Sequence, residues 1–385
     1  MKLAATILVF CVAALLALGM VMLYSSSSVM PLKGDNNAQA GAMYLIKQLI
    51  WCALGLMAGA VVACMDYRVL KKITWPLLAF AVVLLMLVLV PHIGLRIHGA
   101  RRWFSYGGVS FQPSEFAKLA LIIALAWYGE RFQRHMPLFK RGILIPGLFI
   151  GLVVGLIFIE MDVGNALLLA TVSGILLLIA GIRLKYFLPP VLILAVAVSI
   201  FIYNNPTRNE RIYSWLHVEE TRHDKGMQAY QSMLALGSGG LTGRGLGEGR
   251  QKLGFVTFSS TDFIFSVIGE ELGLVATLLV VLAFVALVIC GIYISWNSRD
   301  LFGLLLGSGI TFLIGLQAFI NIGVVTSVLP NKGLLLPFIS YGGSNLLIML
   351  TCVGLLISIA RKGYPARRVM REAMEPVGSP VLNHS

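Results

Sequence analysis

The sequence predicts an all-α polytopic membrane protein of about ten transmembrane helices, with both termini cytoplasmic and a large extracytoplasmic loop between helices 7 and 8. Three observations predict it. The chain of 385 residues is 58% hydrophobic and only 12% charged, far below the charge of an ordinary soluble domain. Apolar runs long enough to cross about 30 Å of hydrocarbon as a helix recur along almost the whole length. The charged residues fall mainly in the short segments between those runs.

The first apolar run, 4–24, follows a lone Lys2 and precedes the small residues Ser25 to Ser28. It is too long for the core of a typical signal peptide, so an uncleaved first span is expected. Further spans are expected at 44–64, 73–91, 113–129, 142–159, 166–182, 187–203, 263–294, 301–327 and 345–360. An even count puts both termini on one side. Placing the N-terminus inside leaves 16 of the 30 Lys and Arg residues in the cytoplasm, and seven of the others belong to the single long loop 204–262. Long loops carry little weight in the positive-inside rule, so the bias among short loops decides the orientation. Residues 1–362 thus read as one membrane domain and 363–385, basic and then containing Pro, Gly and Ser, as a flexible cytoplasmic tail.

A formal net charge of +13 raises the possibility of nucleic acid, but scattered loop charges match an orientation signal and an anionic ligand better. The five cysteines all lie in or at the ends of apolar runs, with no Cys-x-x-Cys and no metal-ligand spacing. They are expected to pack, and no disulfide is expected.

The outer loops carry the unusual polar residues. Arg96 to Phe104 places Arg101 and Arg102 beside Trp103, which reads either as an interfacial anchor or as an anion clamp, since a guanidinium fork matches phosphate oxygens. Gln112-Pro113-Ser114-Glu115 looks like a helix start, and Glu115 shares a face with Lys118. The two form either a structural ion pair or part of a polar cavity that holds a charged head group. Glu160 and Asp162 add two carboxylates in a short loop, where one can cap the next helix. With Glu115 and Asp262 they can gather acids at one face, for acid/base work or for a divalent cation.

The long loop holds a short amphipathic helix, 231–236, and then a glycine-rich run, 237–247. No strand precedes that run, so a dinucleotide loop is rejected. Its glycines let backbone N–H groups approach an anion, with Arg250 and Lys252 nearby, or let the loop fold back into the bundle. Ser260 to Phe265 leaves one carboxylate, Asp262, where polar loop meets apolar helix. An acid beside hydrocarbon is a functional candidate, but a helix cap is the alternative. Glu270 and Glu271 inside the following run must be paired, protonated or facing water. Residues 329–345, rich in Pro and Gly, read as a re-entrant segment, with Ser340, Gly342, Gly343 and Ser344 in close backbone contact with something.

Seven of these stretches together resemble the SEDS (shape, elongation, division and sporulation) family of peptidoglycan glycosyltransferases. They are Gly99 to Trp103, Gln112 to Glu115 with Lys118, Asp162-Val163-Gly164, Gly243 to Gly247 with Gln251-Lys252, Thr261 to Phe265, Gly269 to Gly273 and Pro337 to Ser344. The resemblance runs from the first span to the last. It implies a ten-helix enzyme of the bacterial cytoplasmic membrane that polymerises lipid II at the outer face, without an organic cofactor and with Mg²⁺ or Mn²⁺ as a possible divalent cation. It implies that Asp262 is the base that deprotonates the acceptor sugar, with inversion at the donor carbon. Arg101, Arg102, Lys118 and Lys332 would steady the pyrophosphate, and Glu115, Asp162, Lys252, Ser340, Gly342, Gly343 and Ser344 would belong to the substrate site. It further implies a class B penicillin-binding protein and other divisome proteins as partners. Lys332-Gly333-Leu334 before Pro337 is similar to the division branch, typified by FtsW, more than to the elongation branch, typified by RodA. The sequence departs from the family where a Pro-Glu and a His or Ala commonly precede Thr-Asp, since Thr257 to Ser260 stand there, and Asn345 replaces the usual Ser. A lipid II flippase is the alternative of a different class, because intramembrane acids and broken helices also suit transport.

Overall fold

A computed structural model describes residues 1–27, 37–97, 100–106, 109–224, 226–249 and 261–363. Ten long helices form the bundle: α1 (Lys2–Ser27), α2 (Asn37–Cys64), α3 (Leu70–Leu89), α4 (Pro113–Arg131), α5 (Ile145–Ile159), α6 (Val163–Ile179) and α7 (Leu184–Asn204), then α10 (Ile264–Trp296), α11 (Leu301–Val325) and α12 (Gly343–Lys362). Between α7 and α10 lie two short helices, α8 (Pro206–Leu216) and α9 (Met227–Ser238). Eight of the ten are long and apolar enough to cross a membrane, α5 together with the helical turn Lys140–Leu144 before it; α4 carries more charge and α6 has only 17 residues. The ten expected spans therefore coincide with these helices to within a few residues, except that α2 begins earlier.

Two parts of the long polar segments are more ordered than expected. The outer loop after α3 is a three-stranded antiparallel sheet, β1 (Leu95–Ile97), β2 (Ala100–Tyr106) and β3 (Val109–Phe111), in the order β1-β2-β3. The architecture is thus all-α apart from this small meander, whose ladder satisfies backbone groups that would otherwise lie bare at the membrane edge. The other is α8, which lies in a stretch that reads only as polar and aromatic.

The core lies between α4, α11 and α12, whose side chains are buried on nearly all faces. Apolar contact gains little inside a bilayer, so close packing and polar pairs decide which helices meet. Lys118 shows this. It is 0% exposed, and its ammonium reaches Glu115 at 2.9 Å, Asn165 at 3.2 Å and Gln317 at 3.2 Å. Asn345 donates to the other Glu115 oxygen at 2.8 Å. One buried ion pair with neutral acceptors thus ties α4, α6, α11 and α12 together. By contrast α7 has no buried residue and runs along the outside of the bundle.

At the opposite end of the bundle from the sheet, Asp300 caps α11 through the Gly303 N–H at 3.2 Å. It also accepts from the Tyr67 hydroxyl at 2.6 Å and from Lys71 at 2.9 Å, and Lys71 reaches Glu130 at 2.8 Å. Burial raises the Asp300 carboxyl, but these donors hold it below the usual carboxylate range. The five cysteines are all free thiols.

Candidate active site

The glycine-rich segment does fold back into the bundle. Helix α10 breaks at Gly273, which has φ 79° and ψ −173°. A Cβ there would stand 2.3 Å from the Gly243 nitrogen, so only glycine fits both the conformation and the contact. The loop fills the gap with backbone bonds: Leu274 N to Gly240 O at 2.9 Å, Arg244 N to Glu270 O at 3.0 Å and Gly245 N to Glu271 O at 3.0 Å. The buried acids are paired, as burial requires. Glu271 accepts from the Ser25 hydroxyl at 2.7 Å and from Gly247 N at 3.0 Å, and Glu270 faces Arg244 at 3.7 Å.

The segment between α11 and α12 enters the bundle without forming a regular helix and makes only a few local turn bonds, so many of its carbonyls and N–H groups need side-chain partners. Three buried amides supply them. Gln48 donates to Ser340 O and accepts from Gly342 N, both at 3.3 Å. Gln317 donates to Leu335 O at 2.9 Å. Asn321 donates to Leu334 O at 2.6 Å and to Asp262 O at 2.8 Å. Ser340 accepts from Leu336 N at 2.9 Å and donates to Thr261 O at 2.6 Å. Asn321 and Ser340 therefore hold the backbone on either side of the Thr261–Asp262 peptide.

Asp262 itself is not a cap. The N-cap of α10 falls on Phe263 and has no side-chain cap bond. The carboxylate packs over Gly333, where a Cβ would lie 2.4 Å from Oδ2. Among the described residues it has no hydrogen-bond or ion-pair partner, and it lines a cavity of about 810 Å³ at the outer ends of the helices. Burial first, and then the Asp162 carboxylate, push its carboxyl up to about 6.

Around the same cavity stand Arg102, Asp162, Arg208, Glu210, Arg211 and Lys332. Asp162 is the N-cap of α6, accepting from Asn165 N at 3.3 Å, Asn165 Nδ2 at 2.9 Å and Gln112 Nε2 at 3.1 Å. Burial, and then Arg208 and Arg211, hold the Lys332 ammonium below its ordinary value, partly offset by Asp162. Glu160, next to this wall, is 1% exposed, and neither carboxylate oxygen has a hydrogen-bond partner among the described residues. Burial, then Asp162, push it up to about 8 against the pull of Arg102.

The residues expected from sequence separate into three groups. Asp262, Asp162, Lys332 and Arg102 meet at the cavity. Glu115 and Lys118 close on each other and their amide partners in the core, away from the cavity wall. Ser340, Gly342, Gly343 and Ser344 form the scaffold behind Asp262: Gly343 packs on the Trp51 ring, and the Ser344 hydroxyl joins Gln112 N at 3.0 Å to Ser110 O at 3.3 Å. The expected clamp of adjacent arginines is split, because side chains alternate along β2. Ala100 and Arg102 face the cavity, whereas Arg101 bonds to Leu89 O at 3.4 Å. Lys252 and the departure at 257–260 lie outside the described residues, as does the tail from 364.

The profile of the cell cycle protein family that unites FtsW, RodA and SpoVE matches residues 5–364. The chain belongs to this family. It is 40% identical over 354 residues to a probable peptidoglycan glycosyltransferase FtsW of Geobacter metallireducens, covering 91% of this chain and 94% of the relative. It is 36% identical to the stage V sporulation protein E of Bacillus subtilis, covering 90% and 94%. Among solved structures it resembles the rod shape determining protein RodA of Thermus thermophilus at 29% identity and a TM-score of 0.67, covering 93% and 97%. It also resembles a chain from work on the structural coordination of polymerisation and crosslinking by a peptidoglycan synthase complex, at 29% identity and a TM-score of 0.76, covering 92% and 96%.

For this FtsW/RodA/SpoVE member, sequence reading missed Arg208 and Arg211. The signal was present as cations three apart in an 11-residue stretch opened by Pro206. It was hidden by the low apolar content of that helix. The supporting amides Gln48, Gln317 and Asn321 were also missed, since each sits in an apolar run and finds its partner only through the fold.

Proposed function

We propose that the chain is a peptidoglycan glycosyltransferase that polymerises lipid II at the outer face of the bacterial cytoplasmic membrane, with Asp262 as the catalytic base. The observation that carries the reading is a carboxylate with no partner among the described residues on the wall of a cavity that is otherwise rich in cations. Asp262 takes the proton of the acceptor sugar's 4-hydroxyl while that oxygen attacks the donor's anomeric carbon. The bond from that carbon to the lipid pyrophosphate breaks, the configuration inverts, and the pyrophosphate leaves with the electron pair. A carboxyl poised near 6 is mostly ionised at neutral pH yet more basic than an ordinary aspartate. The cationic wall would neutralise the charge that develops on the leaving group.

The cavity lies among outer helix ends, while α4, α6, α11 and α12 are joined below it by the closed Lys118 network. That arrangement favours polymerisation over a flippase, which needs a polar path to the inner side. No three His, Cys, Asp or Glu among the described residues come together to hold a metal, so an Mg²⁺ or Mn²⁺ ion would arrive ligated by the phosphates of the substrate. Likeness to FtsW relatives and to a chain of a synthase complex supports action at the division septum beside a class B penicillin-binding protein and other divisome proteins. The test is Asp262→Asn, purified in nanodiscs and assayed with lipid II and its cognate transpeptidase. Folding should be kept and glycan synthesis lost, and retained polymerisation would refute the assignment.

A further inference from the structure

Helix α8 presents one polar face. Asn205, Arg208, Arg211 and Ser214, each three residues apart, all line the cavity, and Trp215 closes its end. Tyr213 and Leu216 point the other way, at 53% and 63% exposure. The helix is pinned at both ends: the Trp215 indole donates to Ser327 O at 2.8 Å, beyond α11, and the Arg208 guanidinium sits 4.7 Å from the centre of the Phe201 ring. The arginines are held in place, then, by an anchor that leaves their N–H forks unused.

The charges on this wall are not matched. Arg102, Arg208, Arg211 and Lys332 face the cavity with Asp162, Glu210 and Asp262. Asp162 is already engaged by neutral donors from Asn165 and Gln112, and Arg102 gives its Nε and one Nη2 donor to the carbonyls of Glu160 at 3.0 Å and Met161 at 2.7 Å. Among the described residues Arg208, Arg211 and Lys332 have no ion-pair partner. They repel one another instead: burial, then Arg211 and Arg102, lower the Arg208 pKa, and Arg208 and Arg211 in turn weigh on Lys332. Three cations from two elements without an ion-pair contact among the described residues, two of them planar forks, fit a group that carries several phosphate oxygens.

We infer that Arg208 and Arg211 of α8, with Lys332 across the cavity, form the binding site for the diphosphate of a polyprenyl-linked substrate. The inference rests on the glycosyltransferase reading for the identity of that substrate, but not for the presence of an anion site. It assigns to α8 the larger share of that role, because Arg101 faces away from the cavity and Arg102 is partly committed to backbone carbonyls.

The test measures binding apart from turnover. Full-length protein in phosphatidylcholine nanodiscs is titrated with farnesyl pyrophosphate, and Asp262→Asn is carried alongside. Asp262→Asn should bind at least as tightly as wild type, since it removes a negative charge from the same wall, and the double variant Arg208→Gln/Arg211→Gln should bind about tenfold or more weaker than wild type, the size expected for charged hydrogen bonds. Lys332→Gln should weaken binding as well, and Arg208→Lys/Arg211→Lys, which keeps the charge and tests the site if the glutamine pair fails to fold, should retain part of it. Unchanged binding in a folded glutamine double variant overturns the inference and leaves the Asp262 reading intact. Polymerisation by Asp262→Asn overturns that reading and leaves the anion site intact. Nanodiscs containing phosphatidylglycerol separate the ligand sources: binding that persists supports a diphosphate site, and binding abolished by the phospholipid shows a general head-group surface and overturns the assignment.

Discussion

Asp262 and Glu160 are two buried-edge carboxyls raised by the same causes, and their consequences differ. As the proposed base, Asp262 acts in its ionised form, so polymerisation should fall as pH drops through about 6. Asp162 contributes to that raised value as a like charge. Asp162→Asn should therefore move the acid limb of the pH–rate profile to lower pH, and a limb that stays fixed would mean that another group titrates. For Glu160, the folded carboxyl holds its proton up to about 8, while the unfolded one releases it near 4.5. The native state thus binds more protons across that window, and stability declines as pH rises through it. Glu160→Gln should remove the decline and raise stability at pH 7 by up to about 3 kcal/mol, read as a higher midpoint in thermal unfolding of the detergent-solubilised protein.

At the scale of elements, the irregular segments determine where Asp262 stands. The break in α10 admits the glycine-rich loop, and the segment 326–342 reaches Asp262 through Asn321 and Ser340. Two glycines of positive φ allow a controlled comparison. Gly181 has φ 98° with open space beside it, whereas Gly273 has φ 79° and meets the Gly243 backbone. Gly181→Ala should cost only the conformational term, about 1 kcal/mol. Gly273→Ala adds a backbone clash, so it should cost several times more and also lower polymerisation by displacing the loop. Equal midpoints for the two variants would contradict the loop's docking at the break.

At the scale of the whole molecule, one polar network joins four helices. Lys118→Met leaves Glu115 buried without its cation, which for such pairs costs about 3–5 kcal/mol. The loss should reach both stability and activity, since Asn165 borders Asp162 and Gln317 holds the carbonyl of Leu335. Replacing both Glu115 and Lys118 by apolar residues should recover much of the stability and not the activity, measured as midpoint against turnover. The Asp300 cluster secures the other end of the bundle.

The sequence by itself determined the ten spans and the family, and it singled out Asp262 as the candidate base. Those follow from apolar length and from contiguous motifs. The tertiary structure alone decided which expected residues share a site. Glu115 and Lys118 turned inward because Asn165, Gln317 and Asn345 complete their bonds from distant helices. Arg101 and Arg102 parted because a strand alternates its side chains, and no local pattern in a polar loop announced a strand. Arg208 and Arg211 reached the cavity because Trp215 docks α8 on the end of α11. Asp262 was freed from capping because α10 begins one residue later, at a Phe263 cap, with Asn321 and Ser340 supplying the bonds that fix its backbone.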